Sequence, residues 1–197
     1  MEKIILVRHT EAEGGDNVFR GVTDMGLTPE GLEHAKRVGQ EMKTLRIDKI
    51  YSSMLSRAFR TAEEIAKPHK LRVVKTPKLN EINFGIFDGL QKEEVLKKHA
   101  DIYEARGRDM MNHRIPGGGE NYADVRARAL PFILGEAKKN PGKTLVFVAH
   151  RGLMVSILTI LLKDKTLEEA RKLIGYGGRI FLVHDKGKLR FEKAEND

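Results

Sequence analysis

The sequence contains no cysteine, and none of its apolar runs approaches the length of a membrane-spanning helix. The lack of cysteine excludes disulfides and thiolate metal sites. A signal-peptide pattern is also missing, since an apolar, strand-like run begins at residue 3. We therefore expect a soluble, cytoplasmic protein without a membrane partner. A length of 197 residues predicts one domain, 1–197, with room for a sizeable insertion.

Basic residues outnumber acidic ones by 36 to 28, which gives a formal net charge of +8. Such an excess can indicate nucleic-acid binding. Here the lysines are spread over several helical patterns and mixed with glutamate, and no ribonucleoprotein or helix-turn-helix motif is present. The charge therefore indicates a solvated basic surface that attracts anionic substrates, with no nucleic-acid partner.

Strand-like and helix-like segments alternate along the chain. Residues 3–7 and 144–149 are runs of aliphatic and β-branched residues, typical of strands buried on both faces. Thr28 and Pro29 form a helix start signal. This alternation predicts an α/β fold, a three-layer α/β/α sandwich with a mainly parallel sheet. A hairpin around Lys186 and Gly187 closes the chain, and its apolar residues could support a homodimer.

Residues 82–119 depart from this alternation. They contain a loop, a predicted helix from Lys92 to about Arg106, and three consecutive glycines after Pro116. We predict that this segment is an insertion that covers the active end of the sheet as a lid.

Two predicted strands end in similar polar sequences, Val7-Arg8-His9 and Ala149-His150-Arg151. Ligands in open α/β sheets bind beyond the carboxyl ends of the strands, so both histidines are expected at one site. Arg57 follows the second strand, and Arg60, one helical step away, could share its role. Glu81 follows the third strand and can face the same end.

This set of residues can transfer a phosphoryl group without a metal. A neutral imidazole attacks phosphorus in line while guanidinium groups hold the equatorial oxygens. A carboxylic acid then protonates the leaving oxygen and later deprotonates water. Nearby cations favour the neutral form of His9 that such an attack requires.

The sequence resembles the histidine phosphatase superfamily, whose other branch is the cofactor-dependent phosphoglycerate mutases. Matching motifs occur in order along nearly the whole chain, at residues 6–11, 24–31, 52–62, 79–89, 116–120 and 146–150. The resemblance implies that His9 is the phosphorylated nucleophile and that Arg8, Arg57 and His150 bind the phosphoryl group. It also implies that Glu81 is the proton donor.

Three further residues are candidate substrate contacts. Thr10 directly follows the nucleophile in the matching motif. Asn17 is displaced relative to the family asparagine that helps to hold phosphate. Arg151 stands where the family usually has a small or polar residue, and it could contact substrate or point to solvent.

Several alternatives remain at this stage. The short chain and the sequence Ile82-Asn83-Phe84-Gly85 after the acid favour a phosphatase over a mutase. Within the phosphatases, residues 79–85 and 120–122 are similar to α-ribazole phosphatases, among others. A metallohydrolase would need ligand clusters that are absent from the sequence, so we predict no metal and no cofactor. The rival from another class is a non-catalytic basic binding module on the same fold. The partner predicted here is a small phosphorylated substrate.

Overall fold

A computed structural model describes residues 1–196 of the chain. Its centre is one six-stranded sheet in the order β3-β2-β4-β1-β5-β6. The pairs β1–β4, β4–β2 and β2–β3 are parallel, whereas β5 runs antiparallel to both β1 and β6. The strands are β1 Glu2–Arg8, β2 Lys49–Ser52, β3 Val73–Lys75, β4 Thr144–Ala149, β5 Arg179–Asp185 and β6 Lys188–Glu195.

Helices cover both faces of the sheet. They are α1 Pro29–Met42, α2 Ser56–Ala66, α3 Lys92–Arg108, α4 Tyr122–Lys139, α5 Arg151–Leu161 and α6 Leu167–Lys172. One core cluster joins the sheet to α4 and α5, and the other joins it to α1 and α2. The predicted three-layer α/β/α sandwich with a mainly parallel sheet is therefore confirmed.

The positions of β1 and β4 at the centre of the sheet explain why the sequences of these two strands are apolar throughout. Side chains alternate across a strand, so Ile4 and Leu6 pack into one core while Ile5 and Val7 pack into the other. Every residue from Leu145 to Ala149 is completely buried. A strand covered on both faces has no solvent side, and this removes the usual alternation of polar and apolar residues.

The element bounds differ from prediction where distant residues hold the backbone. We predicted a helix from Met54, but α2 begins at Ser56, because Met54 N donates to Asn80 Oδ1 at 2.9 Å. We predicted that the helix after the second histidine begins at Leu153, but α5 begins at Arg151. Its first turn is capped by a side chain from elsewhere in the chain, which no local pattern reveals.

Residues 82–119 form a short 3-10 helix at Gly85–Phe87, helix α3 and a loop. Phe87, Val95 and Ile115 pack there as a small separate core. Gly85 has a φ of +56°, and a Cβ atom at this position would lie 2.1 Å from the Pro116 carbonyl oxygen. The loop therefore closes onto Gly85 only because that residue is glycine. The treatment of this segment as an insertion within one domain stays a prediction.

The closing hairpin is present, but its apolar side chains are not exposed. Leu189 and Phe191 are half-buried and pack against the core beneath α4 and α5. The argument for a homodimer through this hairpin was therefore wrong, and the oligomeric state stays a prediction. Across residues 1–196, no helix combines the length and apolar character needed to cross a membrane.

Candidate active site

The parallel pairing of β1 and β4 brings the two histidines together. Arg8 lies opposite Ala149 in the register, so His9 and His150 leave the sheet side by side. His9 N donates to the Ala149 carbonyl oxygen at 3.0 Å. The two imidazole centroids are 5.1 Å apart, and the ring planes are tilted by 58°. The structure thus places both predicted histidines at one edge of the sheet.

His9 is 5% exposed and lines a cavity at this edge. Its Nδ1 lies 2.6 Å from the Thr10 carbonyl oxygen, which can only accept, so Nδ1 carries the proton. Burial, followed by the charges of Arg57 and Arg8, lowers the pKa of His9 well below its ordinary value of 6.5. His9 is therefore neutral at pH 7, with its lone pair on Nε2.

His150 is completely buried, and neither of its ring nitrogens has a hydrogen-bond partner among residues 1–196. Burial, followed by the charge of Arg57, lowers the pKa of His150 well below 6.5. Buried polar atoms in proteins are nearly always hydrogen-bonded. These nitrogens are therefore candidates for contact with an oxygen of the substrate.

Arg8 lines the same cavity and is held by two groups that precede β5. Its guanidinium stacks on the ring of Tyr176, 3.8 Å from the centroid, and Nη1 donates to the Ile174 carbonyl oxygen at 3.3 Å. Burial and, to a smaller extent, the charge of Arg151 lower the pKa of Arg8 to about 10. Arg8 remains a cation at pH 7, oriented by an aromatic face.

Arg57 is 1% exposed and does not line the cavity. Its guanidinium donates to the carbonyl oxygens of Arg20, Gly21 and Thr23 at 2.8–3.1 Å, and this ties the loop before α1 to α2. Its Nε is buried without a partner within residues 1–196. Burial lowers the pKa of Arg57, while its positive charge acts on both histidines. Arg60 pairs with Glu63 at the surface instead of sharing this position.

Glu81 lines the cavity and also caps helix α5. Its Oε2 accepts from Gly152 N at 3.0 Å, and its Oε1 accepts from Leu153 N at 3.1 Å and from Ile82 N at 2.9 Å. A carboxylate at a helix N-terminus also interacts favourably with the helix dipole. Oε2 accepts one hydrogen bond fewer than Oε1, so it has more capacity to hold a transferable proton.

The cavity has a volume of about 310 Å³, at the lower end of the roughly 300–1,000 Å³ typical of small-molecule sites. Six cationic side chains line it, against three acidic ones. The cations are Arg8, Arg20, Lys92, Arg106, Arg151 and Arg171, and the acids are Asp16, Glu81 and Glu104. This surplus of positive charge suits a small anionic ligand.

The three further candidate substrate contacts differ in their position relative to the cavity. Asn17 and Arg151 are exposed and line the cavity. Thr10 is completely buried and does not, so the structure does not bring it to the substrate as we predicted. Its hydroxyl donates to the Gly31 carbonyl oxygen at 2.7 Å and lies beside Thr61. The reason is the alternation of side chains along an extended chain, which turns Thr10 away from the side that His9 faces.

Several residues of the site were missed from the sequence: Arg20, Arg106 and Arg171 line the cavity, and Tyr176 stacks on Arg8. Tyr176 is brought to the site because β5 is antiparallel to β1, with Arg179 opposite Val7. The start of β5 therefore lies at the edge where β1 ends. The direction of that one strand is the signal that could have identified Tyr176, and an apolar run alone does not reveal it.

The described residues, 1–196, include no group of three or more histidine, aspartate or glutamate side chains placed to hold a metal ion.

An α/β sheet with two histidines, an arginine and a carboxylate at its carboxyl edge defines the class of phosphoryl-transfer proteins that use histidine. Residues 4–197 match the profile of the histidine phosphatase superfamily, branch 1, and the chain belongs to this superfamily. The family predicted from the motifs is confirmed.

Relatives and solved structures of similar sequence include phosphatases. Phosphoserine phosphatase 1 of Hydrogenobacter thermophilus is 34% identical over 82% of this chain and 77% of its own. A mutant phosphoserine phosphatase from Entamoeba histolytica, solved with phosphoserine, is 29% identical with a TM-score of 0.82, covering 98% of this chain and 96% of its own.

Other similar proteins are phosphoglycerate mutases and an α-ribazole phosphatase. Phosphoglycerate mutases from several bacteria are 28–33% identical. The α-ribazole phosphatase of Shigella flexneri, at 22% identity and a TM-score of 0.83, covers 97% of this chain and 95% of its own and shows the shared fold alone. The family match and the phosphoserine phosphatase relatives support the phosphatase prediction over the mutase alternative.

Proposed function

We propose that this chain hydrolyses small phosphomonoesters without a metal, through a phosphohistidine at His9. The observation that carries the proposal is the neutral imidazole of His9, which lies beside Arg8 in a cationic cavity, with the buried ring of His150 5.1 Å away. The Thr10 carbonyl holds the His9 proton on Nδ1 and directs the Nε2 lone pair away from the backbone. This is the tautomer that nucleophilic attack needs.

In the first step, His9 Nε2 attacks phosphorus, and the bond from phosphorus to the ester oxygen breaks. Glu81, as the carboxylic acid, gives its proton from Oε2 to that oxygen, so that the alcohol leaves neutral. In the second step, water attacks phosphorus, Glu81 takes one of its protons, and the bond to Nε2 breaks. The products are the alcohol and inorganic phosphate, and the enzyme returns to its starting state.

Charged and polar groups around His9 would hold the phosphoryl oxygens during both steps. Arg8 presents its guanidinium from the Tyr176 ring, and His150 offers buried ring nitrogens beside the nucleophile. Arg57 lies outside the cavity and acts through its positive charge and its unpartnered Nε. Asn17 and Arg151 add polar contacts from the exposed edge of the cavity. Hydrogen bonds aimed at the transferring phosphoryl group supply most of the stabilisation in such reactions.

Thr10 has a positioning role in this proposal. Its carbonyl accepts from His9, while its hydroxyl is fixed to the Gly31 carbonyl oxygen at 2.7 Å. Because Gly31 belongs to the first turn of α1, the packing of that helix sets the orientation of the nucleophile. The same arrangement leaves the Thr10 side chain no part in substrate binding.

The test is phosphate release from p-nitrophenyl phosphate with excess EDTA, in wild type and in His9→Ala. We expect activity that resists EDTA and disappears in the variant, with the phosphoryl group trapped on His9 after an alkaline quench. His69→Ala is the matched control, because His69 lies in the 3-10 helix after α2, away from the cavity.

Activity that is lost to EDTA would instead favour the metal-dependent alternative. Wild type that releases no phosphate, or a His9→Ala variant that is as active as wild type, would contradict the proposal and favour a binding module. A mutase would show itself by transferring the phosphoryl group between positions of 3-phosphoglycerate primed with its bisphosphate, faster than it releases phosphate.

A further inference from the structure

Glu81 lies in a stretch of backbone, residues 80–84, that belongs to no helix or strand. This stretch, which we call the acid loop, connects two short 3-10 helices, Pro77–Leu79 and Gly85–Phe87. Helices and strands are fixed by their own hydrogen bonds, whereas an irregular loop keeps one conformation only when other groups satisfy its N–H and C=O groups. The position of the Glu81 carboxylate therefore depends on contacts from elsewhere in the chain.

Arg128, on helix α4, supplies two of these contacts. Its Nη2 donates to the Glu81 carbonyl oxygen at 2.9 Å, and its Nη1 donates to the Lys78 carbonyl oxygen at 3.0 Å. One guanidinium thus joins the 3-10 helix before the acid loop to the acid residue itself. Arg128 does not line the cavity, so it acts on the backbone of Glu81 and leaves the carboxylate free to face the substrate.

Glu120, from the segment before α4, completes the arrangement. Its two carboxylate oxygens accept from Nε and Nη2 of Arg128 at 2.7 and 2.9 Å. The same carboxylate accepts from Asn83 N at 3.0 Å, and Glu120 N donates to the Asn83 carbonyl oxygen at 2.8 Å. The pair therefore holds the acid loop at both Glu81 and Asn83, the two residues that flank Ile82.

The side chains of Glu120 and Arg128 are half-buried, with 23% and 18% of their surface exposed. A bidentate pair of arginine and carboxylate has a fixed planar geometry, and partial shielding from water strengthens it. Within residues 1–196, every side-chain hydrogen bond from this pair to a third residue goes to Lys78, Glu81 or Asn83. The pair is therefore directed at the short segment that carries the acid.

We propose that Glu120 and Arg128 are positioning residues that hold the Glu81 carboxylate where its proton is needed. The inference rests on the proposed function and deepens it, because it assigns the placement of the acid to two residues outside the cavity. Glu81 also accepts from Gly152 N and Leu153 N, so a shift of the acid loop would disturb the start of α5 as well. A misplacement of about 1 Å at a reacting group can cost about 10²-fold in rate.

The first experiment measures kcat of Arg128→Leu and Glu120→Ala with two substrates. For glycerol 3-phosphate, whose leaving oxygen needs a proton, we expect kcat to fall about tenfold to a hundredfold. The loss for p-nitrophenyl phosphate should be much smaller, because nitrophenolate leaves without protonation. Arg128→Lys keeps the charge but lacks the planar fork, so it should show the same pattern, and it serves where Arg128→Leu does not fold.

Arg114→Leu is the matched control. Arg114 forms another bidentate pair, with Asp124 in the first turn of α4, and in the described chain that pair makes no hydrogen bond to the acid loop. It lies outside the cavity. Its loss removes the same kind of contact from the same part of the molecule, so kcat for both substrates should stay at the wild-type value.

A double variant separates positioning from general support of the fold. If Arg128 acts through Glu81, adding Arg128→Leu to Glu81→Gln should change kcat for glycerol 3-phosphate by less than about threefold, because the acid is already lost. Damage to the fold that is independent of Glu81 would instead multiply the two losses.

Backbone hydrogen exchange follows the carboxylate without any turnover. The amides of Gly152 and Leu153 bond to Glu81, so in Arg128→Leu they should exchange at least about tenfold faster than in wild type. The amides of β4, which belong to the sheet, should keep their protection, and Arg114→Leu should leave both groups of amides unchanged.

Equal losses of kcat for the two substrates would overturn the positioning role, and so would losses that multiply in the double variant or unchanged exchange at Gly152 and Leu153. The two proposals can fail separately. If wild type hydrolyses no phosphomonoester while Arg128→Leu speeds exchange at these amides, the hydrolase proposal fails and the positioning of Glu81 stands. If hydrolysis through His9 proceeds and Arg128→Leu keeps the wild-type kcat for glycerol 3-phosphate, the reverse holds.

Discussion

Glu81 and Gly152 are in direct contact across 71 residues of sequence, because Oε2 of Glu81 accepts a hydrogen bond from Gly152 N at 3.0 Å. A Cβ atom at position 152 would lie 2.6 Å from Oε1 of the same carboxylate. The absence of a side chain at position 152 is therefore what allows Glu81 to reach the start of α5. The proton donor proposed here is positioned by a glycine next to His150 and Arg151.

Gly152→Ala should lower kcat without preventing folding. The added methyl group displaces the Glu81 carboxylate, and we expect a loss approaching the roughly 10²–10⁴-fold that general acids contribute. The measurement is kcat for an alkyl phosphate, with circular dichroism to confirm the fold.

Gly135→Ala is the control for this substitution, since no atom lies within 4 Å of a Cβ at that helical position. It should keep full activity and stabilise the protein by about 0.5–1 kcal/mol. Unchanged kcat in Gly152→Ala would show that the contact between Glu81 and α5 has no role in turnover.

Glu81→Gln should affect substrates according to their leaving groups. A glutamine cannot supply the proton, so we expect kcat for glycerol 3-phosphate to fall about 10²–10⁴-fold. The loss for p-nitrophenyl phosphate should be much smaller, because nitrophenolate leaves without protonation. The test compares the ratio of variant kcat to wild-type kcat between the two substrates. Equal losses for both substrates would mean that Glu81 only supports α5 and does not act as the acid.

The two buried histidines should make the protein less stable as the pH falls below about 6.5. The pKa values of His9 and His150 are lower in the folded state than in the unfolded state, so the unfolded state binds more protons in this range. The free energy of unfolding should therefore decrease progressively as the pH falls below about 6.5, and both histidines should contribute to the decrease.

Urea unfolding at pH 7.5, 6 and 5 measures this slope. His150→Gln removes one of the two groups, so its slope should be about half that of wild type. Gly135→Ala, which changes no titratable group, should keep the wild-type slope. A slope that is the same in His150→Gln and wild type would contradict the prediction.

Tyr176 should contribute to phosphate binding through Arg8. Its ring carries the guanidinium at 3.8 Å, and its hydroxyl donates to Asp16 Oδ1 at 2.6 Å and accepts from Arg20 Nη2 at 2.8 Å. Tyr176→Leu removes the aromatic face and should raise the inhibition constant of inorganic phosphate roughly two- to thirtyfold. Tyr176→Phe keeps that face and should stay closer to wild type. If phenylalanine and leucine are equally damaging, the hydroxyl matters and the stacking does not.

The sequence was sufficient for the main features of the fold and the family. Residues 3–7 and 144–149 are apolar on both faces, which predicted two central parallel strands, and their polar exits predicted that His9 and His150 meet. Both inferences depend on local patterns and on a general property of parallel sheets. Arg57 and Glu81 were placed at the same edge because they follow the second and third strands, and the resemblance of motifs then implied their roles.

The errors have physical causes that lie outside the local sequence. Thr10 shares a motif with the nucleophile, yet the alternation of the extended chain turns its hydroxyl to Gly31. The start of α5 was set two residues too late because its cap is Glu81, from a distant loop. The apolar residues of the closing hairpin were expected at the surface, but they pack beneath α4 and α5.

By itself, the sequence determined the strands, most of the helices, the two histidine exits and membership of a phosphoryl-transfer family, because these follow from short-range patterns and motif order. The tertiary structure alone decided which other side chains surround the nucleophile and the cavity. Tyr176 arrives through an antiparallel strand, Arg106 through α3 and Arg171 through α6. Their convergence depends on how separate elements pack around the sheet, and the spacing of residues along the chain carries no record of that packing.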